Sequence, residues 1–271
     1  MGRRAKGLAR HERLFLPLPG GKHKLKWPIL CEIVRYGNKP YLELFCGGAC
    51  IAVEHRRMQP RTPVWLNDAD PGIAALWTSV LRRKAELKYL IRRFKPTPDA
   101  FFTIRDQLRA NTVTDDVELG FRKLAIHQMS YSGLGVKAAG PLGGKDQRSA
   151  YQVDCRWSPD YLCKKIDYLS SLLTGARVTA LDFEAVIDGE HIVYCDPPYF
   201  EKGGELYQHS FSRSDHVRLR DRLCQHPAWV LSYDDHPEIR AMYAFARIKE
   251  YAVSYSINGA TEKKELVICA P

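Results

Sequence analysis

Short apolar runs alternate with helical stretches along the first third of the chain. Tyr41-Leu42-Glu43-Leu44-Phe45 and Val64-Trp65-Leu66 are mostly apolar, too brief for core helices, and stop at a glycine pair and at Asn67-Asp68; they predict two buried strands. Between 71 and 94, helical periodicity opened by Asp70-Pro71 and closed by Lys95-Pro96-Thr97-Pro98 predicts one helix. Residues 99–129 read as two further helices with no strand between them, so the alternation of strand and helix breaks there. A glycine-rich stretch at 131–145 is too long for a mere connection. The alternation then resumes with a helix at 158–173 and strands at 177–181 and 191–195. A helix from Ser214 and a strand at 228–232 follow, and two last strands at 248–256 and 265–270 flank the turn Asn258-Gly259. The expected architecture is α/β, with a Rossmann-like sheet and terminal hairpin built from 1–94 and 158–271, and a helical insertion at 95–157. No internal repeat appears.

Chemistry concentrates where these strands end. Asp196-Pro197-Pro198-Tyr199-Phe200 follows the apolar run His191-Ile192-Val193-Tyr194-Cys195, which places Asp196 at the carboxyl end of a strand, where open α/β sheets hold their ligands. Each proline fixes its own φ and biases its predecessor to an extended backbone, giving a stiff corner that can aim groups. The Asp196 carboxylate and the Pro197 carbonyl together suit the two hydrogens of an exocyclic NH₂, with Tyr199 or Phe200 stacking on the attached ring. A strand followed by a proline turn with an aromatic plug is the plainer reading. Cys46-Gly47-Gly48-Ala49 forms a tight turn between a strand and a helix start, the plan that brings backbone close to a ligand. It lacks the third glycine of dinucleotide sites and a Gly-Lys-Ser/Thr phosphate loop, and so gives little support to NAD or ATP. Asp68, about twenty residues after the turn, is placed to hold ribose hydroxyls or, alternatively, to cap the following helix.

The chain has 271 residues, 45% of them hydrophobic, and a net charge of +10 with pI ≈ 9.2. That balance favours a polyanionic partner, since phosphate contacts release counterions, though solubility alone also explains excess lysine and arginine. Arg3, Arg4, Lys6, Arg10 and Arg13, then Lys22, Lys24 and Lys26, form either an arm along a nucleic-acid backbone or a solvated tail. The start lacks the apolar core of a signal peptide and no later stretch has transmembrane length, so a soluble cytoplasmic protein is expected. Eight cysteines without a Cys-x-x-Cys pair predict neither structural zinc nor disulfides. The scattered histidines read as surface or capping residues, and Ser132 and Ser232 lack a hydrolase context.

The ordered set Pro19-Gly20-Gly21-Lys22, Glu43-Leu44-Phe45-Cys46-Gly47-Gly48-Ala49, Asn67-Asp68, Leu181-Asp182-Phe183, Asp196-Pro197-Pro198-Tyr199 and Glu265-Leu266-Val267-Ile268 spans nearly the whole chain. It resembles the Dam-type DNA N6-adenine methyltransferases, which use S-adenosylmethionine (AdoMet). The resemblance implies an AdoMet-dependent methyltransferase sheet, double-stranded DNA as partner and AdoMet as methyl donor, with no metal. It places the cofactor against Leu18, Lys22, Glu43, Phe45, Gly47, Gly48, Asp68, Asp182, Phe183 and Asp196. Leu18 stands where the family usually has an aromatic residue, and Phe183 serves either as a stacking face or as core. The inserted region would recognise the target, with Lys137, Lys145 and Arg148 as phosphate contacts; a loop without a DNA role is the alternative.

The implied reaction is direct methyl transfer to N6 of an adenine flipped out of the duplex, with Asp196, Pro197, Pro198 and Tyr199 forming its pocket. Tyr199 is the expected stacking residue, and Glu201-Lys202-Gly203-Gly204 a segment able to close over substrate. Rivals are the same chemistry on cytosine N4, RNA or a protein amide, a catalytically silent DNA-binding relative, and a nucleotide-dependent oxidoreductase.

Overall fold

Seven strands form one sheet in the order β3-β2-β1-β4-β5-β7-β6. They are β1 (Tyr41–Glu43), β2 (Val64–Asn67), β3 (Arg177–Thr179), β4 (Ile192–Cys195), β5 (Trp229–Asp234), β6 (Arg247–Tyr255) and β7 (Thr261–Cys269). The structure is a computed structural model describing residues 15–18, 22, 24–200, 211–255 and 261–271. The basic residues 3–13, Pro19-Gly20-Gly21, Glu201-Lys202-Gly203-Gly204 and Asn258-Gly259 lie outside the described residues.

Strands β1 to β5 are mutually parallel, whereas β7 runs antiparallel between β5 and β6. Chain order reverses between β1 and β4, which pair Glu43 with Tyr194, so a crevice opens outside their carboxyl ends. Every residue of β1, β2 and β4 is buried, because helices cover both sheet faces. Alternation along the strands sorts their side chains into two apolar clusters. Tyr41, Leu66, Ile192, Tyr194 and Val230 pack on one face, and Leu42, Trp65, Val193, Cys195 and Leu231 on the other.

The first face meets α1 (Lys26–Ile33), α2 (Cys50–Met58), α3 (Pro71–Arg82) and α7 (Pro159–Leu172); the second meets α8 (Arg213–Cys224) and α9 (Pro237–Met242). The helix expected over 71–94 is in fact two, α3 and α4 (Lys84–Arg93), broken at Arg83 with φ −130° and ψ 36°. Its apolar period continues, but α3 packs mainly against α6 (Asp116–Met129) while α4 packs against α7, and a straight helix cannot serve both.

The two helices of the expected insertion are α5 (Pro98–Arg109) and α6 (Asp116–Met129). Phe101, Ile104, Leu124, Val136 and Val153 belong to the same apolar cluster as Ile29, Leu76 and Tyr194, so this region and one sheet face share a continuous core. The glycine-rich stretch is packed rather than looped out. It makes 3₁₀ turns at Tyr131–Gly133 and Gly135–Lys137 and a bridge between Ser130 and Pro141. Gly133 has φ +70°, and a Cβ there would lie 2.2 Å from the Pro17 carbonyl oxygen, so only glycine admits that strand of backbone.

Candidate active site

Asp196 is the first residue beyond β4, and its neighbours hold it from behind. Ser232 of β5 donates to Asp196 Oδ1 at 3.0 Å, and the Tyr194 hydroxyl lies 2.9 Å from Ser232 Oγ. Lys22 Nζ stands 2.9 Å from the same Asp196 oxygen, donates to the Tyr199 hydroxyl at 3.1 Å and lies 3.6 Å from Glu265 Oε2. Tyr199 donates to Glu265 Oε1 at 3.3 Å. The lysine and glutamate side chains are only 2% and 3% exposed, whereas Asp196 is 25% exposed, so the aspartate is the charged member that reaches the crevice.

Burial alone would lower the Lys22 pKa, but Asp196, Tyr199 and Glu265 together raise it well above its ordinary value and keep the amine cationic. Burial raises the Asp196 pKa, and Lys22 opposes that rise. The same ammonium sits 4.7 Å from the centroid of the Tyr199 ring, so the ring expected to stack on a base carries a cation on one face. Pro197 is buried and Pro198 half-buried. Phe200 packs between His216 and His236, at 5.0 and 4.7 Å, and its N–H donates to Asp234.

The glycine turn lies beside this corner, tied to it where Leu44 N–H meets the Tyr194 carbonyl at 2.9 Å. Gly47 has φ +43°, and a Cβ there would come within 2.7 Å of Leu18 Cδ1. Its N–H donates to Asp68 Oδ2 at 2.8 Å, and its carbonyl accepts from Trp77 Nε1 at 2.8 Å. Asp68 Oδ1 accepts from Asp70 N–H at 3.0 Å, so both carboxylate oxygens brace backbone and each retains a lone pair for a hydroxyl. Burial, with Asp70 nearby, pushes the Asp68 carboxyl up to about 6. The helix cap is Asp70, which accepts from Gly72 and Ile73 N–H and pairs with the buried Lys123.

Glu43 points into the core. It accepts from the Tyr41 hydroxyl at 2.9 Å and from Ala52 N–H at 2.5 Å, and burial raises its carboxyl to about 8, so it is protonated at neutral pH and joins β1 to α2. Phe45 and Phe183 meet Phe211 in an aromatic group, with centroids 5.4 and 5.5 Å from it. Phe183 is 4% exposed, with the Arg218 guanidinium 4.8 Å over its ring. Asp182 caps the 3₁₀ turn Phe183–Ala185 and pairs with Arg218 at 3.1 Å.

The structure thus gathers Lys22 with Asp196 and Tyr199, and Gly47 with Asp68, at adjacent strand ends. Ser232, Tyr194 and Glu265 join the first group, and sequence reasoning gives none of the three a role there. The alternation of side chains along a strand is the available signal for Tyr194, two residues before Asp196. Lys137, Lys145 and Arg148 are exposed on the packed stretch after α6, with Lys145 over the Phe102 ring at 5.7 Å. Four histidines expected at the surface or in caps are instead buried: His55, His127, His216 and His226. Burial lowers the pKa of each, and the neutral ring of His55 stacks on Tyr41 at 4.4 Å, so these imidazoles fill core space. His236 does cap, accepting from Glu238 N–H at the start of α9. The eight cysteines are free thiols. Among the described residues no helix is long and apolar enough to cross a membrane, and no three His, Cys, Asp or Glu side chains group to hold a metal ion.

Comparison with known proteins gives one family. The family model for D12 class N6 adenine-specific DNA methyltransferase matches residues 19–257, which include Lys22, the glycine turn, Asp68 and the Asp196 corner. No curated protein matches the chain.

Proposed function

Because the chain belongs to the D12 class of N6 adenine-specific DNA methyltransferases, and so methylates adenine in DNA, we propose that the Asp196 corner is where the target amine is held during transfer. One observation carries this reading: a partly exposed carboxylate at the switch-point crevice, fixed from behind by Ser232 and Lys22.

An adenine inside a duplex is out of reach, so the base must be extruded, costing a few kcal/mol. Stacking on an aromatic ring returns roughly 1–3 kcal/mol, and hydrogen bonds in the pocket supply more. Asp196 and the Pro197 carbonyl accept the two N6 hydrogens and leave the lone pair free. Tyr199, tethered by Lys22 and Glu265, offers its ring to the base. As N6 acquires positive charge, the Asp196 carboxylate stabilises the transition state more than the ground state.

AdoMet, when bound, supplies an electrophilic methyl group. The glycine turn fits such a ligand: Gly47 has no Cβ, so Leu18 packs directly on its backbone, and Asp68 beside it keeps acceptor capacity for ribose hydroxyls. Gly48 lines the turn beside it. Glu43 supports the turn from the core, and Phe45, Asp182 and Phe183 form the wall beyond it. Residues 95–157 read the DNA target, with Lys137, Lys145 and Arg148 on phosphates.

Expression in cells lacking adenine methylation, followed by modification-sensitive sequencing, tests the proposal. It should reveal N6-methyladenine at one recognised sequence. Methylation of cytosine N4 with adenine untouched would overturn it.

A further inference from the structure

Helix α6 reaches the cofactor side of the molecule through a close crossing with α3. A Cβ at Gly120 would lie 2.6 Å from the Leu76 amide nitrogen, so the two helices meet there at backbone distance. One turn further along α6, Lys123 is only 3% exposed, and its aliphatic stem passes the first turn of α3 where Gly72 leaves room: a Cβ at Gly72 would meet Lys123 Cδ at 3.0 Å. The ammonium then meets Asp70 Oδ2, while Oδ1 of the same carboxylate caps α3 by accepting from Gly72 N–H at 2.8 Å and Ile73 N–H at 3.3 Å. Asp70 passes this anchorage on, because its own N–H donates to Asp68 Oδ1 at 3.0 Å. The other oxygen of Asp68 is held by Gly47 N–H at 2.8 Å. Burying a lysine costs desolvation that an apolar side chain of similar length would avoid, so stability alone is a poor reason for the pair.

We propose that Lys123 is a positioning residue for AdoMet: through Asp70 it fixes the Asp68 carboxylate that receives the ribose hydroxyls, and it keeps that carboxylate in its ionised, accepting form. The proposal rests on the assignment of Asp68 to the AdoMet ribose. It makes α6, a helix of the 95–157 region, a builder of the cofactor site on the sheet. Two charged groups act on Asp68 here: Asp70, which raises its carboxyl, and Lys123, which lowers it. Glu43 and Cys46 face it from β1 and the glycine turn, and burial raises them to about 8 and well above 9 respectively, so both are neutral at pH 7. His127, which faces Lys123 on α6, is lowered to about 3 and is neutral as well. With these neighbours the Asp68 carboxyl stands at about 6 and is ionised at neutral pH. Without Lys123 it rises, and a protonated Asp68 gives up acceptor capacity to its proton.

The test titrates AdoMet calorimetrically, between pH 6 and 7.5, into wild type, Lys123→Met, Asp68→Ala and the double variant Lys123→Met with Asp70→Asn. Lys123→Met should bind AdoMet on the order of tenfold more weakly at pH 7.5, and the deficit should widen as pH falls to 6, because its Asp68 takes up a proton at higher pH than in wild type. Titration of AdoMet itself is common to all the proteins and cancels in the ratio. A lysine with a merely structural role would give a deficit of one size at every pH. Equal affinity, or a deficit independent of pH, would overturn the proposal. If Lys123→Met does not fold, the double variant decides: it removes both charges of the pair together, and asparagine keeps the cap on α3. It should still bind AdoMet on the order of tenfold more weakly than wild type at pH 7.5, and wild-type affinity refutes the role. Asp68→Ala separates the two layers. Unchanged AdoMet affinity in Asp68→Ala removes the underlying assignment, whereas a loss there with an unaffected Lys123→Met removes only this inference.

Discussion

Replacing Glu43 by glutamine should remove a pH-dependent penalty on folding. Glu43 is 3% exposed, and burial, opposed by its bonds to Tyr41 and Ala52, raises its carboxyl from 4.5 to about 8. Between those values the unfolded chain has released a proton that the folded chain keeps. The folded state therefore binds more protons, and stability falls as pH rises, by at most about 1.4 kcal/mol per pH unit. The carboxyl's contribution is fully present below pH 4.5 and is lost as pH rises through about 8. From pH 5 to pH 7 the loss is roughly 2–3 kcal/mol. Glutamine keeps the shape and an oxygen for Ala52 N–H but has no proton to lose. Urea denaturation of both proteins at pH 5, 6, 7 and 8 should give a stability difference, variant minus wild type, that climbs by roughly 2–3 kcal/mol from pH 5 to 7. His55, His127 and His216, lowered to about 4, 3 and 4, pull the other way in both proteins and cancel in the difference. A difference independent of pH would refute the reasoning, since Glu43 would then be ionised in the folded chain.

Asp68→Ala deprives Gly47 and Asp70 of their carboxylate acceptor and should weaken AdoMet binding by about 1–3 kcal/mol in calorimetric titration; unchanged affinity would move the cofactor elsewhere. The triple variant Lys137→Ala, Lys145→Ala, Arg148→Ala should bind AdoMet normally and DNA more weakly. Its slope of log K against log salt should be shallower by up to about 0.9 for each phosphate left without its cation, and an unaltered affinity and slope would assign DNA binding to the basic residues 3–26 instead.

What is legible in the sequence is local. Asp196 is recognisable because an apolar run, an acid and two prolines are contiguous, and the glycine turn because its strand and helix flank it directly. The Lys22–Tyr199 contact joins residues 177 positions apart, so no local pattern announces it. Glu265 reaches the same corner only because β7 inserts antiparallel beside β5. Ser232 lacks a hydrolase motif, yet its hydroxyl serves as a buried donor to Asp196. The break at Arg83 is hidden for another reason: apolar periodicity reports which face is buried, not that two successive stretches face different partners. The histidines show the same limit, because polarity suggests exposure while neutral imidazoles pack well in a core.

In the proposed reaction the Asp196 carboxylate holds the amine that receives the methyl group. Single-turnover transfer to a DNA substrate by Asp196→Ala, with AdoMet affinity measured separately on the same protein, tests it most directly. The rate should fall by roughly a hundredfold or more, the range for losing one preorganised polar group at a transition state, in a folded protein that still binds AdoMet. Transfer at a near-normal rate would contradict it.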